Sequence, residues 1–462
     1  MLFSSLIFLY AFLPCTFLIY FLTPKKGKNV VLLLASLLFY AWGEPKYLIL
    51  ILLTMLLGFA AGLGIHRFRG HFLSRLCMLL SVTGCVGLLV FFKYSDFLLT
   101  AVGGVLGTSL PLWHLALPVG ISFYTFQILS YTIDLYRGDV EVQRNPVTFA
   151  LYVSLFPQLI AGPIVRYRDV ALELRERKHS AALAYEGACR FLVGLGKKVI
   201  LANNLGLLCQ SYRSSSEPSV LFAWLSAVGF FLQIYFDFSG YSDMAIGLGR
   251  ILGFHFPENF RYPYCSHSVT EFWRRWHISL STWFREYLYI PLGGNRCSKG
   301  RWVLNLFLVW AATGIWHGAS WNFVFWGLYF WVLLLVEKFV LLRWLKRAPG
   351  AVGHLYTLFF VLVSWTIFAI EDFGQLGEYL KVMFGLGGVP LIDGAFKYYA
   401  ANYLPVLCIS ALAATPLGAA VYRRLNVRTA HILGAVLILA GLLLCTAYLV
   451  DGTYNPFLYF RF

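Results

Sequence analysis

Two long apolar segments follow one another at residues 302–340, which read WVLNLFLVWAATGIWHGASWNFVFWGLYFWVLLLVEKFV. Between Arg301 and Glu337 the only side chain that titrates near neutral pH is His317. A helix needs roughly 20 apolar residues to cross the hydrocarbon core of a bilayer. The stretch therefore predicts two membrane-spanning helices, at 302–319 and 321–340, and it decides the class of the fold.

The rest of the chain repeats this pattern. Its 462 residues are 59% hydrophobic and 13% charged, with a mean hydropathy of +0.71. Soluble domains are nearer half apolar and a quarter charged. We predict an all-α polytopic membrane protein with one domain over residues 1–462 and about 11–12 crossings. The apolar segments are 2–22, 30–43, 47–65, 76–92, 112–131, 187–209, 220–236, 302–319, 321–340, 354–370, 400–419 and 431–450.

The basic residues give this topology a direction. The chain has 37 Lys and Arg against 21 Asp and Glu, a formal net charge of +16. Most of them fall in alternate loops, as the positive-inside rule describes for cytoplasmic loops. The largest group lies at 255–301, the last inner group includes Arg428, and Arg461 falls on the outer side. We interpret the excess as cytoplasmic loops, not as a nucleic-acid surface, and we expect both termini outside.

Two apolar stretches, 148–165 and 240–254, do not fit as crossings because each lies beside inner charges. Pro157, Gly162 and Pro163 would break a helix in the first stretch, and the second is too short. Irregular backbone at membrane depth is tolerated only where protein or a water-filled cavity surrounds it. We predict a broken or re-entrant element, a second non-spanning element and a cavity open to the cytoplasm.

His317 is the first candidate for chemistry, within AATGIWHGASWN at 311–322. Ionisable side chains at membrane depth are costly and usually face a polar cavity. An imidazole can take a proton from a hydroxyl and return it. Gly314 and Gly318 predict close approach of a neighbouring helix. A histidine that is only hydrogen-bonded in a helix interface explains this segment equally well.

His277 is the second candidate, within EFWRRWHISLSTWFREYLYIPLGG at 271–294. Apolar side chains there recur at helical spacing, and the charged ones lie largely off that face, so we predict an amphipathic helix at the inner membrane surface. His277 falls on the apolar stripe. An interfacial anchor whose histidine caps or bonds a carbonyl is the simpler reading of this pattern.

Other polar groups carry weaker signals. Asp237 and Asp243 interrupt an aromatic-rich run and could orient a histidine or pair with an arginine such as Arg250, although structural salt bridges are the simpler explanation. The nine cysteines contain no CxxC and predict neither a metal site nor a disulfide frame. No P-loop, GxSxG or HExxH motif appears, so no residue is assigned to a cofactor.

Long runs in consistent order resemble the membrane-bound O-acyltransferase superfamily, and within it the bacterial branch that serves alginate O-acetylation. They are LLLASLLFYAWGEP (32–45), PVGISFYTFQILSYTIDLYRGD (118–139), SLFPQLIAGPIVRYRD (154–169), FDFSGYSDMAIGLGRILGFHFPENFRYPY (236–264), EFWRRWHISLSTWFREYLYIPLGGNR (271–296), WHGASWNFVFWGL (316–328) and NPFLYFRF (455–462). The resemblance implies a ring of helices around a central tunnel, with His317 as the catalytic histidine and His277 as a second functional histidine on the cytoplasmic side.

The resemblance also implies a reaction. We expect acetyl transfer from a cytoplasmic thioester, acetyl-CoA or an acyl-carrier protein, for O-acetylation of an extracytoplasmic surface polysaccharide, in a bacterial cell membrane. An SGNH-type acetyltransferase or esterase is the expected partner. D-alanyl transfer to teichoic acid through a carrier protein, and a transporter or scaffold without chemistry, are the alternatives. His317 is expected near the outer face and His277 near the inner face, which would make the site a path through the membrane.

Overall fold

The computed structural model describes residues 1–215, 218–452, 454–456 and 458, and over these residues it contains helices and no strand. The all-α prediction is thereby confirmed. The side chains of residues 427, 428, 430 and 431 are not described. The structure therefore describes neither the side chain of Arg428 nor Arg461, and it describes only part of the motif at 455–462.

Twenty-one α-helices follow one another along the described chain. In order they are α1 Leu13–Leu22, α2 Lys28–Gly43, α3 Leu48–Arg67, α4 Phe72–Leu106, α5 Ile121–Arg137, α6 Pro146–Ser154, α7 Phe156–Leu159, α8 Tyr167–Arg175, α9 Ala181–Gly196, α10 Asn203–Arg213, α11 Val220–Ile251, α12 Val269–Arg275, α13 Ile278–Phe284, α14 Lys299–His317, α15 Trp321–Val336, α16 Leu342–Leu345, α17 Gly350–Ala369, α18 Phe373–Met383, α19 Gly394–Ala413, α20 Leu417–Arg424 and α21 Val427–Asp451. Short π-helices lie at Phe8–Phe12, Lys197–Ala202, Arg285–Tyr289 and Glu337–Leu341.

The chain forms two compact units. The first comprises Met1–Phe191 with Ser242–Pro257, and the second comprises Leu192–Tyr241 with Glu258–Phe462. Both candidate histidines belong to the second unit. The ring, the tunnel and the single membrane domain stay proposals.

The first unit contains the predicted broken element. Residues 148–165 form the end of α6 and the four-residue α7, which starts at Phe156 beside Pro157, and then irregular backbone. The ring of Phe156 packs 5.8 Å from that of Phe39, and its amide donates to the Ser36 hydroxyl at 3.1 Å. Protein thus surrounds the break, and the amide that the break leaves without a helical partner is hydrogen-bonded. Irregular backbone in an apolar setting requires both.

The second predicted non-spanning element is wrong. Residues 240–251 continue α11, which runs unbroken over 32 residues. Small residues make this possible: a Cβ on Gly240 would lie 2.8 Å from the carbonyl oxygen of Gly194, and one on Gly247 would meet Gly187. The glycines of this stretch therefore mark close approach of the facing helix α9.

In the second unit, α14 and α15 pack against each other as the glycine spacing predicts. A Cβ on Gly314 would collide with the carbonyl oxygen of Phe323, and one on Gly327 would collide with that of Trp310. Small residues that let two helix backbones approach are typical of contacts within membranes. Around this contact lies a core rich in indole rings, which includes Trp273, Trp276, Trp310, Trp326 and Trp365.

Seven described helical segments are long and apolar enough to cross a membrane, and one bent pair, α19 with α20 at 69°, could add an eighth. This is fewer than the predicted 11–12 crossings. Several predicted crossings coincide with shorter helices, such as α2 with 16 residues and α5 with 17. At 1.5 Å per residue these rise roughly 24–26 Å, less than the ~30 Å of a typical hydrocarbon core.

Candidate active site

His317 is the last residue of α14 and is 6% exposed. The helix ends there because Gly318 adopts an extended backbone. Aromatic rings surround the imidazole: Trp326 at 5.0 Å and Phe368 at 5.4 Å between centroids, both edge-on. The sequence placed a titratable ring at the end of an apolar helix, and the structure shows that the ring points into the protein core.

His277 lies in a break between α12 and α13. Its φ of 44° and ψ of 54° are left-handed, which costs a residue with a side chain roughly 1–2 kcal/mol. The continuous amphipathic helix expected over 271–294 is therefore wrong. Four residues of its apolar stripe, Trp273, His277, Leu280 and Phe284, are nevertheless buried, His277 to 1% exposure, and Leu288 is half-buried. A break was not readable from side-chain spacing because it depends on hydrogen bonds from outside the segment.

One indole joins the two histidines. The ring of Trp316 lies 5.1 Å from that of His317 and 6.1 Å from that of His277, both between centroids. The bilayer core is ~30 Å thick. Two imidazoles that contact the same indole are too close together to lie at opposite faces of the bilayer. The expected separation of His277 and His317 onto opposite faces is therefore wrong. They belong to one buried cluster.

The cluster keeps His277 neutral. His277 lies outside the helices long enough to span a membrane. Burial, reinforced by the charge that His317 carries when protonated, holds the pKa of His277 well below its ordinary value. A neutral imidazole has one nitrogen with a lone pair, which can accept a proton or a hydrogen bond.

Asn259 contacts His277, and the sequence analysis missed it. Its Oδ1 lies 3.1 Å from Nδ1 of His277 and accepts from both the amide and the hydroxyl of Ser279, at 3.2 and 2.9 Å. Asn259 is completely buried. The signal available in the sequence was an amide side chain in HFPENFRYPY, eighteen residues before the histidine, within a run otherwise read as a polar loop.

A buried carboxylate anchors the helix that leads to His277. Both oxygens of Glu337 accept from the first amides of α12, those of Val269 at 2.7 Å and Thr270 at 3.0 Å. Negative charge at a helix N-terminus satisfies the unpaired amides and the helix dipole. Glu337 follows α15, so this cap ties α12 to the helix pair that carries His317.

The two aspartates noticed in the sequence form structural ion pairs. Asp237 pairs with Lys198 at 2.6 Å and also accepts from the amide of Leu458 at 2.9 Å. Asp243 pairs with Arg190 at 2.9 Å. Arg250, expected as a partner for these aspartates, pairs with Glu186 instead.

A cavity of about 720 Å³ borders the cluster in the second unit. Thr313, one helical turn before His317, lines it, and so does Leu280 from the helix that follows His277. Its wall is largely apolar and includes the indoles of Trp273 and Trp310. Its charged residues are all basic: Arg274, Arg285, Lys299 and Lys338.

A second cavity of about 400 Å³ lies in the same unit at the end of α17. Thr366, Ala369 and Ile370 line it and flank Phe368, the ring that contacts His317. The remaining wall combines apolar side chains such as Ala227 and Phe230 with polar ones. The polar ones include Arg213, Glu371, Asp372 and Gln375.

Comparison with known proteins adds a family and several relatives. The model of the membrane-bound O-acyltransferase family matches residues 112–373, which include both histidines. The chain is 42% identical to a protein described as "Probable alginate O-acetylase AlgI" of Pseudomonas syringae pv. tomato, over 84% of this chain and 76% of that protein.

Two further relatives differ in the polymer that their names specify. A peptidoglycan O-acetyltransferase of Helicobacter pylori is 36% identical over 85% of this chain and 81% of its own. A teichoic acid D-alanyltransferase of Bacillus subtilis is more distant, at 28% identity over 53% of this chain and 65% of its own.

Proposed function

Because the chain belongs to the membrane-bound O-acyltransferase family, we propose that it moves an acetyl group from a thioester to a hydroxyl, for O-acetylation of a polysaccharide outside the cell. It is a multi-pass membrane O-acyltransferase. Relatives that share 36–42% identity over most of the chain carry names that specify O-acetylation, of alginate or of peptidoglycan. Alginate is the first acceptor to test, and peptidoglycan is the second.

One observation carries the proposal: two buried histidines meet at one indole, and two cavities are lined by residues near them in the chain. The basic cavity is built largely from the 255–301 region, which the charge pattern predicts to face the cytoplasm. The second cavity is built from the ends of α10 and α17 and the first turns of α11 and α18, which the same pattern predicts to face outside. The two substrates would thus reach a single site from opposite faces.

His317 is proposed as the catalytic base. It takes the proton of the acceptor hydroxyl while the hydroxyl oxygen attacks the thioester carbonyl carbon. The carbon–sulfur bond then breaks, and the leaving thiolate takes the proton back from the imidazolium, which yields an ester and a free thiol. Alternatively, a nitrogen of His317 accepts the acetyl group first and passes it on. His277 would position the thioester or share the proton.

The basic cavity suits a donor that carries phosphate. Arg274, Arg285 and Lys299 supply positive charge at its wall, and Trp273 and Trp310 supply apolar surface. Acetyl-CoA and a carrier protein with a phosphopantetheine arm both combine a phosphate with an apolar thioester end. On the outer side, a secreted SGNH-type enzyme is the proposed partner that delivers the acetyl group to the polymer.

Two other functions have less support. D-alanyl transfer uses related machinery, but the relative with that name shares only 28% identity over about half of this chain. A transporter or scaffold without chemistry does not account for membership of an acyltransferase family. Acyl transfer by the purified protein, from a thioester to a simple hydroxyl acceptor, would exclude it.

Replacement of His317 tests the proposed function. We expect His317→Ala to abolish acetylation of the surface polymer, measured by mass spectrometry, while the protein still accumulates in the membrane. His71→Ala, at an exposed histidine of the first unit, is the matched control and should acetylate normally. Wild-type acetylation in the His317→Ala strain would refute the mechanism.

A further inference from the structure

We infer that Asn259 is a positioning residue that fixes His277 in the tautomer with the proton on Nδ1, so that Nε2 is its basic nitrogen. The inference rests on the proposed function and assigns a role within it to the Asn259 side chain. Four hydrogen bonds carry it, all made by Asn259 to residues 277–279.

The backbone of Ser279 determines which way the amide of Asn259 points. A backbone N–H can only donate, and that of Ser279 lies 3.2 Å from the side-chain atom assigned as Oδ1. This atom must therefore be the oxygen and not the amide nitrogen. The Ser279 hydroxyl, 2.9 Å from the same atom, can donate to it as well.

The tautomer of His277 follows from this orientation. Nδ1 lies 3.1 Å from an oxygen that only accepts, so Nδ1 must carry the hydrogen. In a neutral imidazole the lone pair is then on Nε2, on the side of the ring away from Asn259. The backbone oxygen of Asn259 also accepts from the amide of Ile278 at 3.0 Å, which holds the left-handed break in place.

An amide is suited to this task because it is neutral. A carboxylate at position 259 would make the same contacts but would favour the imidazolium and raise the pKa of His277. His317 of α14 is the titratable group whose charge acts on His277. On the elements packed nearby, Glu271 pairs with Arg275 in α12, and Asp237 of α11, next to Phe238, pairs with Lys198. The two pairs neutralise themselves, so the uncharged amide leaves His277 available as a base.

Spectroscopy tests the tautomer without reference to activity. The protein is labelled with ¹⁵N-histidine in nanodiscs, and the His277 signals are assigned by their loss in His277→Gln. We expect a protonated Nδ1 and an unprotonated Nε2 in the wild type at neutral pH. A wild-type His277 protonated on Nε2 would overturn the inference even if the enzyme is active.

Kinetics test the role, with acetyl-CoA as donor and a simple alcohol as acceptor. Asn259→Leu should lower kcat by about 10- to 100-fold with little change in KM, because a mispositioned catalytic group loses rate, not affinity. Asn259→Asp keeps the contacts, so it should retain more activity than Asn259→Leu and move the acidic limb of the kcat/KM profile up by about one pH unit or more.

Asn305→Leu is the control for loss of a buried amide, since Asn305 is also fully buried and bonds only to the loop before α14. It should lower thermal stability and leave the acidic limb where it is. An unmoved limb in an active Asn259→Asp enzyme would reduce Asn259 to a structural role. Absence of transfer by the wild type would instead count against the proposed function.

Discussion

At the scale of single residues, chemistry depends on which polar groups the fold buries together. His317 and His277 are 40 positions apart in the chain and share the indole of Trp316. Each histidine could be noticed in the sequence. The sequence did not show that they share Trp316, nor that Asn259 contacts His277. Side-chain spacing along the chain does not connect residues from three separate segments.

The buried state of His277 predicts a pH-dependent stability. Its pKa is held below the ordinary value of about 6.5, so as the pH falls below 6.5 the unfolded chain takes up a proton that the folded protein refuses. The free energy of unfolding should be highest above that pH and fall below it, by at most about 1.4 kcal/mol per pH unit for one proton. Thermal melting in detergent between pH 5 and 7.5 measures this.

His277→Gln cannot take up this proton and is the comparison for that measurement. Its melting temperature should depend less steeply on pH than that of the wild type. Parallel curves for the two proteins would mean that His277 does not titrate differently in the folded and unfolded states.

Glu337 predicts a large effect from a small change. Glu337→Gln keeps the shape but removes the charge that accepts from two amides of α12, and it should cost about 1–3 kcal/mol of stability. The matched control is Glu378→Gln, which removes an exposed ion pair with Lys381 and should cost at most about 1 kcal/mol. Equal melting temperatures of the two variants in detergent would contradict the capping role.

At the scale of elements, the sequence predicted helices well and breaks poorly. Pro157 predicted the break between α6 and α7, because proline has no backbone N–H to donate and its ring clashes with the preceding helical turn. The break at His277 has no such marker. The short apolar length of 240–254 and the inner charges beside it suggested a separate element, but the stretch continues α11. Its glycines allow close packing against a facing helix, and that contact is visible only in the tertiary structure.

The contact between α14 and α15 gives a prediction with an internal control. Gly314→Ala would push Cβ into the carbonyl oxygen of Phe323 and should destabilise the protein by about 1–3 kcal/mol, because backbone cannot yield as a flexible side chain can. Gly300→Ala on the same helix meets nothing within 4 Å and should be neutral or stabilise by up to about 1 kcal/mol. Melting temperatures that fall equally in both variants would contradict the close approach.

At the scale of the whole molecule, charge distribution supplies an orientation that helices alone do not. Seven or eight helical segments of the described chain have the length and composition to span a membrane, but these properties give no direction of crossing. The basic loops then predict which ends face the cytoplasm. In the proposed function, this predicted orientation is the reason for giving the basic cavity to the donor and the second cavity to the acceptor.

Alkaline phosphatase fusions test that orientation, since the enzyme folds only outside the cytoplasm. A fusion after the last residue should be active, because both termini are expected outside. A fusion after Arg347, in a predicted inner loop, should be inactive. The reverse pair of results would exchange the two proposed substrate entrances.

The sequence by itself determined the class of the fold, the helices that are long and apolar, the family and the two histidines. These follow from composition and local spacing, which the chain carries in order. The tertiary structure alone decided that the histidines lie in one buried cluster, that residues 240–251 continue a helix, and that Asn259 and Glu337 hold the segment around His277. Each of these depends on a hydrogen bond or packing contact between residues distant in the chain, and such a contact leaves no local pattern in the sequence.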